Sequence, residues 1–184
     1  MTSRVDQLIH TIQEGRSDLE TASSLLGDRI ALFSIDRKYR YILSVTWDAS
    51  RPYCCFCMLN PSVADHEISD ATVTRCGIRA KEWCYGGLVV LNIFAYRSTD
   101  PKALYLCKDP VGPWNDETIL LITMKAGMVI LGYGRHGKLL GRGEKVLSLL
   151  REHKVSPHAL RINLDKSPGH PLYINYDARP VLME

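Results

Sequence analysis

Along the chain, stretches with the spacing of helices alternate with short apolar runs of strand type, and the alternation predicts the order of elements. Two short helices are expected first, over about 3–14 and 17–26. Ser17 with Glu20 forms a capping-box pattern, and Gly27 stops the second helix. Two strand-like runs come next, Ile30–Ile35 and Tyr39–Trp47, joined at Asp36-Arg37-Lys38 as a hairpin. A third strand, Tyr53–Leu59, ends at Asn60-Pro61-Ser62. A helix is expected from about Asp70 to Cys84, closed by Gly86-Gly87. The next strand, Leu88–Ile93, is short and apolar, as in a parallel sheet covered on both faces.

The loop 94–116 is long, with Pro101, Pro110 and Pro113, and has room for a helical turn at 102–106. The pattern then gives helix 116–125, strand Met128–Leu131, a glycine-rich turn, helix 139–153, strand Leu160–Leu164 and an irregular tail. Strands alternating with helices after the hairpin imply an α/β fold with a mostly parallel, right-handed sheet. In such a sheet ligands bind beyond the carboxyl ends of the strands. Four polar or glycine-rich segments leave those ends: Asn60-Pro61-Ser62, Asn92-Ile93-Phe94-Ala95-Tyr96, Gly132 to Gly137, and the stretch reaching Gly169-His170-Pro171. Their convergence on one site is the main functional expectation.

Composition narrows the class. The 184 residues, 46% hydrophobic and 23% charged, are ordinary globular usage and suit one domain, residues 1–184. No apolar run approaches a membrane span, and the first residues lack the apolar stretch of a signal peptide, so a soluble, cytoplasmic protein without membrane association is expected. The net charge is +3, but residues 135–166 hold eight Lys and Arg against three acids. A basic face on a near-neutral chain suits an anionic ligand or a solvated helix surface. Six cysteines include Cys54 and Cys57 at C-x-x-C spacing. No second pair occurs at zinc-site spacing, and in a strand these two side chains point to opposite faces, so they read as small core residues rather than metal ligands.

Gly132, Gly134 and Gly137 fit G-x-G-x-x-G between a strand and a helix, the context of a dinucleotide fingerprint. The turn comes too late in the chain for that fold. Gly132 to Lys138 also fits the start of a P-loop, but Leu139 stands where Ser or Thr would hold magnesium. A simpler reading is a phosphate held at a helix N-terminus with help from Arg135, His136 and Lys138; a tight turn with exposed charges is the alternative.

Taken in order, four motifs resemble the uracil-DNA glycosylase superfamily. These are Met58-Leu59-Asn60-Pro61-Ser62, Leu88-Val89-Val90-Leu91-Asn92, Val129 to Gly137, and Gly169-His170-Pro171-Leu172. The first is most similar to the mismatch-specific branch, whose strand ends in an Asn-Pro-Gly turn. The chain also resembles a bacterial and phage family of unassigned function with the same Asn-Pro-Ser and Asn-Ile-Phe-Ala-Tyr-Arg signatures. The resemblance covers about residues 53–175. It implies a three-layer sandwich with a mostly parallel central sheet, residues 51–184, preceded by an N-terminal extension of helices and hairpin over 1–50. The final motif reads His-Pro-Leu where the superfamily usually has His-Pro-Ser, and no iron–sulfur cysteine spacing is present.

That resemblance implies a DNA glycosylase-like hydrolase that cuts an N-glycosidic bond without metal or cofactor, in base repair or in defence against modified phage DNA. Asn60 would position the attacking water. Asp65 or Asp70 could supply a carboxylate if a proton must be removed, although Asp70 equally reads as a helix cap. Asn92 would read a base taken out of the stack, with Pro61 and Ser62 beside it and Phe94 and Tyr96 as candidates for stacking. His170 would donate to the departing base or to a phosphate. Gly134, Arg135, His136, Lys138 and Arg97 would hold DNA phosphates. The uracil-specific branch has a bulky aromatic after the proline. Here Ser62, with Ala64 and Ala95 also small, implies room for a 5-substituted pyrimidine larger than uracil. Two other readings stay open: an enzyme acting on free nucleotides, and a non-catalytic nucleic-acid-binding module.

Overall fold

The computed structural model describes residues 3–24, 28–62 and 71–183. The first helix, α1, spans Arg4–Gln13, and its start is fixed by a capping box in which the Ser3 hydroxyl accepts from the Asp6 N–H and the Asp6 carboxylate accepts from the Ser3 N–H. The segment expected as a second helix is instead a strand, β1 Leu19–Ser23, paired antiparallel with β2 Arg29–Ser34. The capping-box pattern at Ser17 and Glu20 lost to tertiary pairing: Leu19 is buried in the core and the strand extends the hairpin into a three-strand ribbon. Strand β3, Arg40–Thr46, completes that ribbon against β2 as expected.

Next come β4 Tyr53–Met58, α2 Ala71–Glu82, β5 Gly87–Asn92, the one-turn helix α3 Ala103–Leu106, α4 Asn115–Thr123 and β6 Met128–Leu131. A 3₁₀ segment at Arg135–Gly141 leads to α5 Arg142–Glu152. Strand β7 is only His158–Ala159, earlier and shorter than the strand expected at Leu160–Leu164. Asn163 explains the displacement, because residues 161–169 fold back on themselves as a tight loop: the Asn163 N–H bonds the Ser167 carbonyl and the Gly169 N–H bonds the Arg161 carbonyl. A short antiparallel strand, β8 Val181–Leu182, closes the edge.

Among the described residues eight strands form one sheet, in the order β1-β2-β3-β5-β4-β6-β7-β8. The fold is mixed α/β. The expectation of a mostly parallel sheet is corrected: β5-β4-β6-β7 pair in parallel, while β1-β2-β3-β5 and the β7-β8 edge are antiparallel. The N-terminal hairpin is therefore no appendage. It adds directly to β5 through β3 and continues the sheet.

Strands β4 and β5 are buried at every position, which is why they read as unbroken apolar runs. One face packs Val5, Ile9 and Ile12 of α1, Ile119 and Ile122 of α4, and Val146 and Leu150 of α5; the other packs Val73, Cys76 and Ala80 of α2. Each fully buried aliphatic side chain contributes about 1.5–3 kcal/mol. Cys54 and Cys57 belong to the cores on opposite faces, and burial pushes the Cys57 thiol up to about 12. Among the described residues no helix is long and apolar enough to cross a membrane.

Candidate functional site

Parallel pairing sets the carboxyl ends of β4, β5, β6 and β7 on one side of the sheet. A cleft of about 570 Å³ opens there, a size usual for small-molecule sites. Asn60, Ser62, Asn92, Gly134, Arg135, His136 and His170 all line it, together with Arg40, Ser98, Arg161, Asn163 and Tyr173. Segments far apart in sequence thus meet in a single concavity. Among the described residues that line it are three arginines and two histidines, and none is Asp or Glu.

Asn60 comes after β4 and is half-buried. Its Nδ2 donates to the Ser98 carbonyl at 2.8 Å and to the Pro61 carbonyl at 3.2 Å. With the amide N–H groups committed to backbone, the orientation of the side chain is fixed and Oδ1 is its acceptor. Pro61 is buried, and its carbonyl accepts the Ser98 N–H, so the strand end and the post-β5 loop are tied together. The Ser62 Oγ is buried without a hydrogen-bond partner among the described residues.

Asn92 ends β5 and is 3% exposed. Among the described residues nothing hydrogen-bonds its side-chain amide. Asn92 lines the cleft, so its amide is a polar group placed where a ligand can meet it. Its backbone, in contrast, is held firmly. Asn115 Nδ2 donates to the carbonyls of Asn92 and Ile93 at 3.0 and 2.9 Å, and Arg142 Nε donates to the Ile93 carbonyl at 2.6 Å. Arg142 is ion-paired with Asp116, which also meets Lys145 at 3.1 Å. Burial pushes the Asp116 carboxyl up, but the guanidinium of Arg142 and the ammonium of Lys145 outweigh it and hold the group below its ordinary value. The pair therefore stabilises the fold above the ordinary carboxylate range, and the contribution is lost as pH falls from about 4 through the lowered value. Urea midpoints measured from neutral to acid pH should show wild type and Asp116→Asn converging in that window.

His170 precedes the 3₁₀ turn Pro171–Tyr173, and its Nδ1 accepts the Leu172 N–H at 3.3 Å. The neutral ring then carries its proton on Nε2, as a donor. The motif is seated from two sides. Arg79 of α2, 0% exposed, donates to the carbonyls of Ile174 and Asn175 at 2.6 and 3.1 Å, and Arg75 donates to Ile174 at 2.8 Å. At the end of β6, a Cβ on Gly132 would lie 2.7 Å from the Pro171 ring. Gly132→Ala is expected to push the His-Pro pair away, at about 1–3 kcal/mol. A lowered urea midpoint checks this; an unchanged one means that the ring moves aside freely.

The other glycines of the turn answer to backbone conformation at Gly134 and to packing at Gly137. Gly134 has φ of +63°, and its N–H bonds the Pro168 carbonyl, while a Cβ on Gly137 would strike the Tyr133 ring at 2.3 Å. The turn leads into the 3₁₀ segment, which breaks at Leu139 and Leu140, and α5 starts only at Arg142. The helix expected over 139–153 is thus shorter, and the turn opens a 3₁₀ segment rather than the α-helix that was expected to follow it. Arg135 and His136 line the cleft beside it.

Several predicted site residues lie elsewhere. Phe94 is 0% exposed in the core and offers no ring for stacking. Tyr96 packs against Tyr39 and the core, outside the cleft lining. Ala95 is buried in the core too, so its small size does not widen the cleft. Lys138 lines a separate cavity of about 320 Å³ behind the turn and pairs with Asp165 at 3.1 Å. Arg97 donates to the Arg37 carbonyl and sits over the Phe33 ring, away from the cleft lining. Asp65 and Asp70, with Ala64, lie outside the described residues.

Arg40, Ser98 and Arg161 were not among the predicted site residues. Arg40 opens a strand of the hairpin, and nothing in its local pattern distinguishes it from an exposed strand-end cation. No curated protein and no solved structure matches the chain. Residues 40–172, a span that takes in both asparagines, the glycine turn and the His-Pro pair, match the family described as "Protein of unknown function (DUF1643)", and the chain belongs to that family.

Proposed function

We propose that the cleft receives a nucleobase, extruded from DNA or on a single strand, and that the protein hydrolyses its N-glycosidic bond. The observation that carries this reading is the meeting of Asn60, Asn92 and His170, far apart in sequence, in one cleft. The order of motifs similar to uracil-DNA glycosylases supports it, as does the parallel β5-β4-β6-β7 portion of the sheet, whose strand ends carry those motifs.

The groups present set the chemistry. Breaking the bond between C1′ and the base nitrogen sends the electron pair to the base and leaves positive charge on the sugar. Water then adds to C1′ and gives up a proton, so that the products are the free base and an abasic sugar. Asn60 Oδ1 can accept a hydrogen bond from that water, since its Nδ2 is committed to Ser98 and Pro61. An amide takes no proton, so a base, where one is needed, comes from Asp65 or Asp70 or from solvent. His170 Nε2–H donates to the base as it departs, and Asn92 presents one donor edge and one acceptor to the base. Arg135, Arg161 and His136 face the flanking phosphates.

Ser62, small and on the cleft, supports a 5-substituted pyrimidine as the substrate, and a role in repair or in defence against modified phage DNA is part of the same proposal. Oligonucleotides carrying uracil, thymine, 5-hydroxymethyluracil or 5-bromouracil test it, with released base and alkali-labile sites as readouts. Release of a 5-substituted base is expected. Cleavage of mononucleotides but not of oligonucleotides would assign the protein to free nucleotides. Salt-sensitive binding with no base released from any probe would leave a binding module.

A further inference from the structure

The cleft contains a buried cation that belongs to none of its strand-end motifs. Arg40 opens β3, is 5% exposed, and lines the cleft. Strand β3 pairs antiparallel with β5, with Leu43 opposite Val90, and the Arg40 N–H donates to the Ala95 carbonyl at 2.9 Å. This register sets Arg40 beside the end of β5, where Asn92 stands. Asn92 in turn is opposite Met58 of β4, two residues before Asn60. Three adjacent strands thus bring a guanidinium and both asparagines to one floor.

Burial separates Arg40 from the other arginines of the cleft. Arg135 and Arg161 are exposed at the rim, where they suit phosphates in water. A cation on the floor meets the part of a ligand that enters deepest, which is the base. Resting on the proposed glycosidic cleavage, we infer that Arg40 is a catalytic residue that stabilises the negative charge of the departing base. As the glycosidic bond breaks, the electron pair passes to the base nitrogen and spreads onto the exocyclic carbonyl oxygens of the base. The guanidinium does not give up its proton, so it acts as a fixed charge and as a fork of donors. Water exclusion strengthens that action, since charge interactions grow as the local dielectric falls. His170 donates one hydrogen bond to the same base, and Arg40 supplies the charge.

A fixed cation makes the rate less dependent on how well the base leaves by itself. Removing it should harm poor leaving groups most. The test measures single-turnover base release by wild type, Arg40→Lys and Arg40→Met from oligonucleotides carrying thymine, 5-hydroxymethyluracil, 5-bromouracil or 5-fluorouracil, with oligonucleotide affinity measured alongside. For Arg40→Met, a loss of about 10²-fold or more is expected on thymine and about tenfold on 5-fluorouracil, with affinity little changed. Arg40→Lys should recover part of the loss. An equal loss on all four bases, or a loss confined to affinity, would overturn the role of Arg40 while leaving base release intact. Wild type that releases no base from any probe would overturn the underlying reading instead.

Discussion

Asn60→Ala is expected to lower single-turnover base release by about 10²–10³-fold while the protein stays folded. The effect comes from the amide geometry. Nδ2 is committed to the Ser98 and Pro61 carbonyls, so Oδ1 has one orientation and supplies a fixed acceptor for the attacking water. Alanine removes that acceptor and two hydrogen bonds to backbone carbonyls, the latter worth about 1 kcal/mol each. Asn60→Asp separates the two effects. A carboxylate has no N–H for Ser98, so it would turn away from the two carbonyls and lose the orientation although it keeps an oxygen. Both variants should therefore fail in catalysis, and alanine should bind an oligonucleotide as wild type does. Release by Asn60→Ala at a rate close to that of wild type would show that water is positioned elsewhere.

How much of this arrangement could be read in the sequence depends on the range of the interactions that fix it. The strand-end turns were legible, because a fully buried strand must be apolar throughout and a polar group after it must emerge at an end. That logic placed Asn60, Asn92 and the glycine bend, and they share one cleft. The first strand was not legible. Leu19 to Ser23 carries a local helix-start signal, and only pairing with Arg29–Ser34, a contact of the assembled sheet, makes it a strand. The hairpin was legible, but its pairing with β5 through β3 was not, and that long-range contact is what brings Arg40 to the cleft.

Aromatic candidates failed for a related reason. Phe94 and Tyr96 come after a strand end, as ligand-contacting rings often do. The loop turns back over the sheet, however: the N–H groups of Ala95 and Tyr96 bond the carbonyls of Val111 and Pro110, which carries Phe94 into the core. The glycines show the reverse error. Their spacing imitated a nucleotide fingerprint, whereas Gly132 makes room for Pro171, and Gly137 for Tyr133. A pattern of small residues records only that something approaches closely; the neighbour is chosen by the tertiary fold.

The largest loss of stability is expected at Arg142. Its side chain is buried, bonds the Ile93 carbonyl through Nε, and pairs with Asp116. Arg142→Ala leaves Asp116 half-buried with Lys145 alone and removes the bond to the Ile93 carbonyl, and truncating a buried side chain of this size costs about 2–5 kcal/mol. It also opens a cavity between α5 and the sheet. Arg142→Met fills most of that space, and Asn115 still caps Ile93, so it should cost clearly less than alanine. Urea unfolding at neutral pH distinguishes the two. A midpoint for Arg142→Ala within about 1 kcal/mol of wild type would mean that the pair contributes little net stability, as some buried ion pairs do. The methionine variant also reports on function. If the Arg142 clamp on Ile93 holds Asn92 in register with the cleft, Arg142→Met should stay folded and yet release base more slowly, because the Asn92 amide then samples positions off the base edge. Full activity in a folded Arg142→Met would assign the clamp to stability alone and leave Asn115 as the residue that sets Asn92.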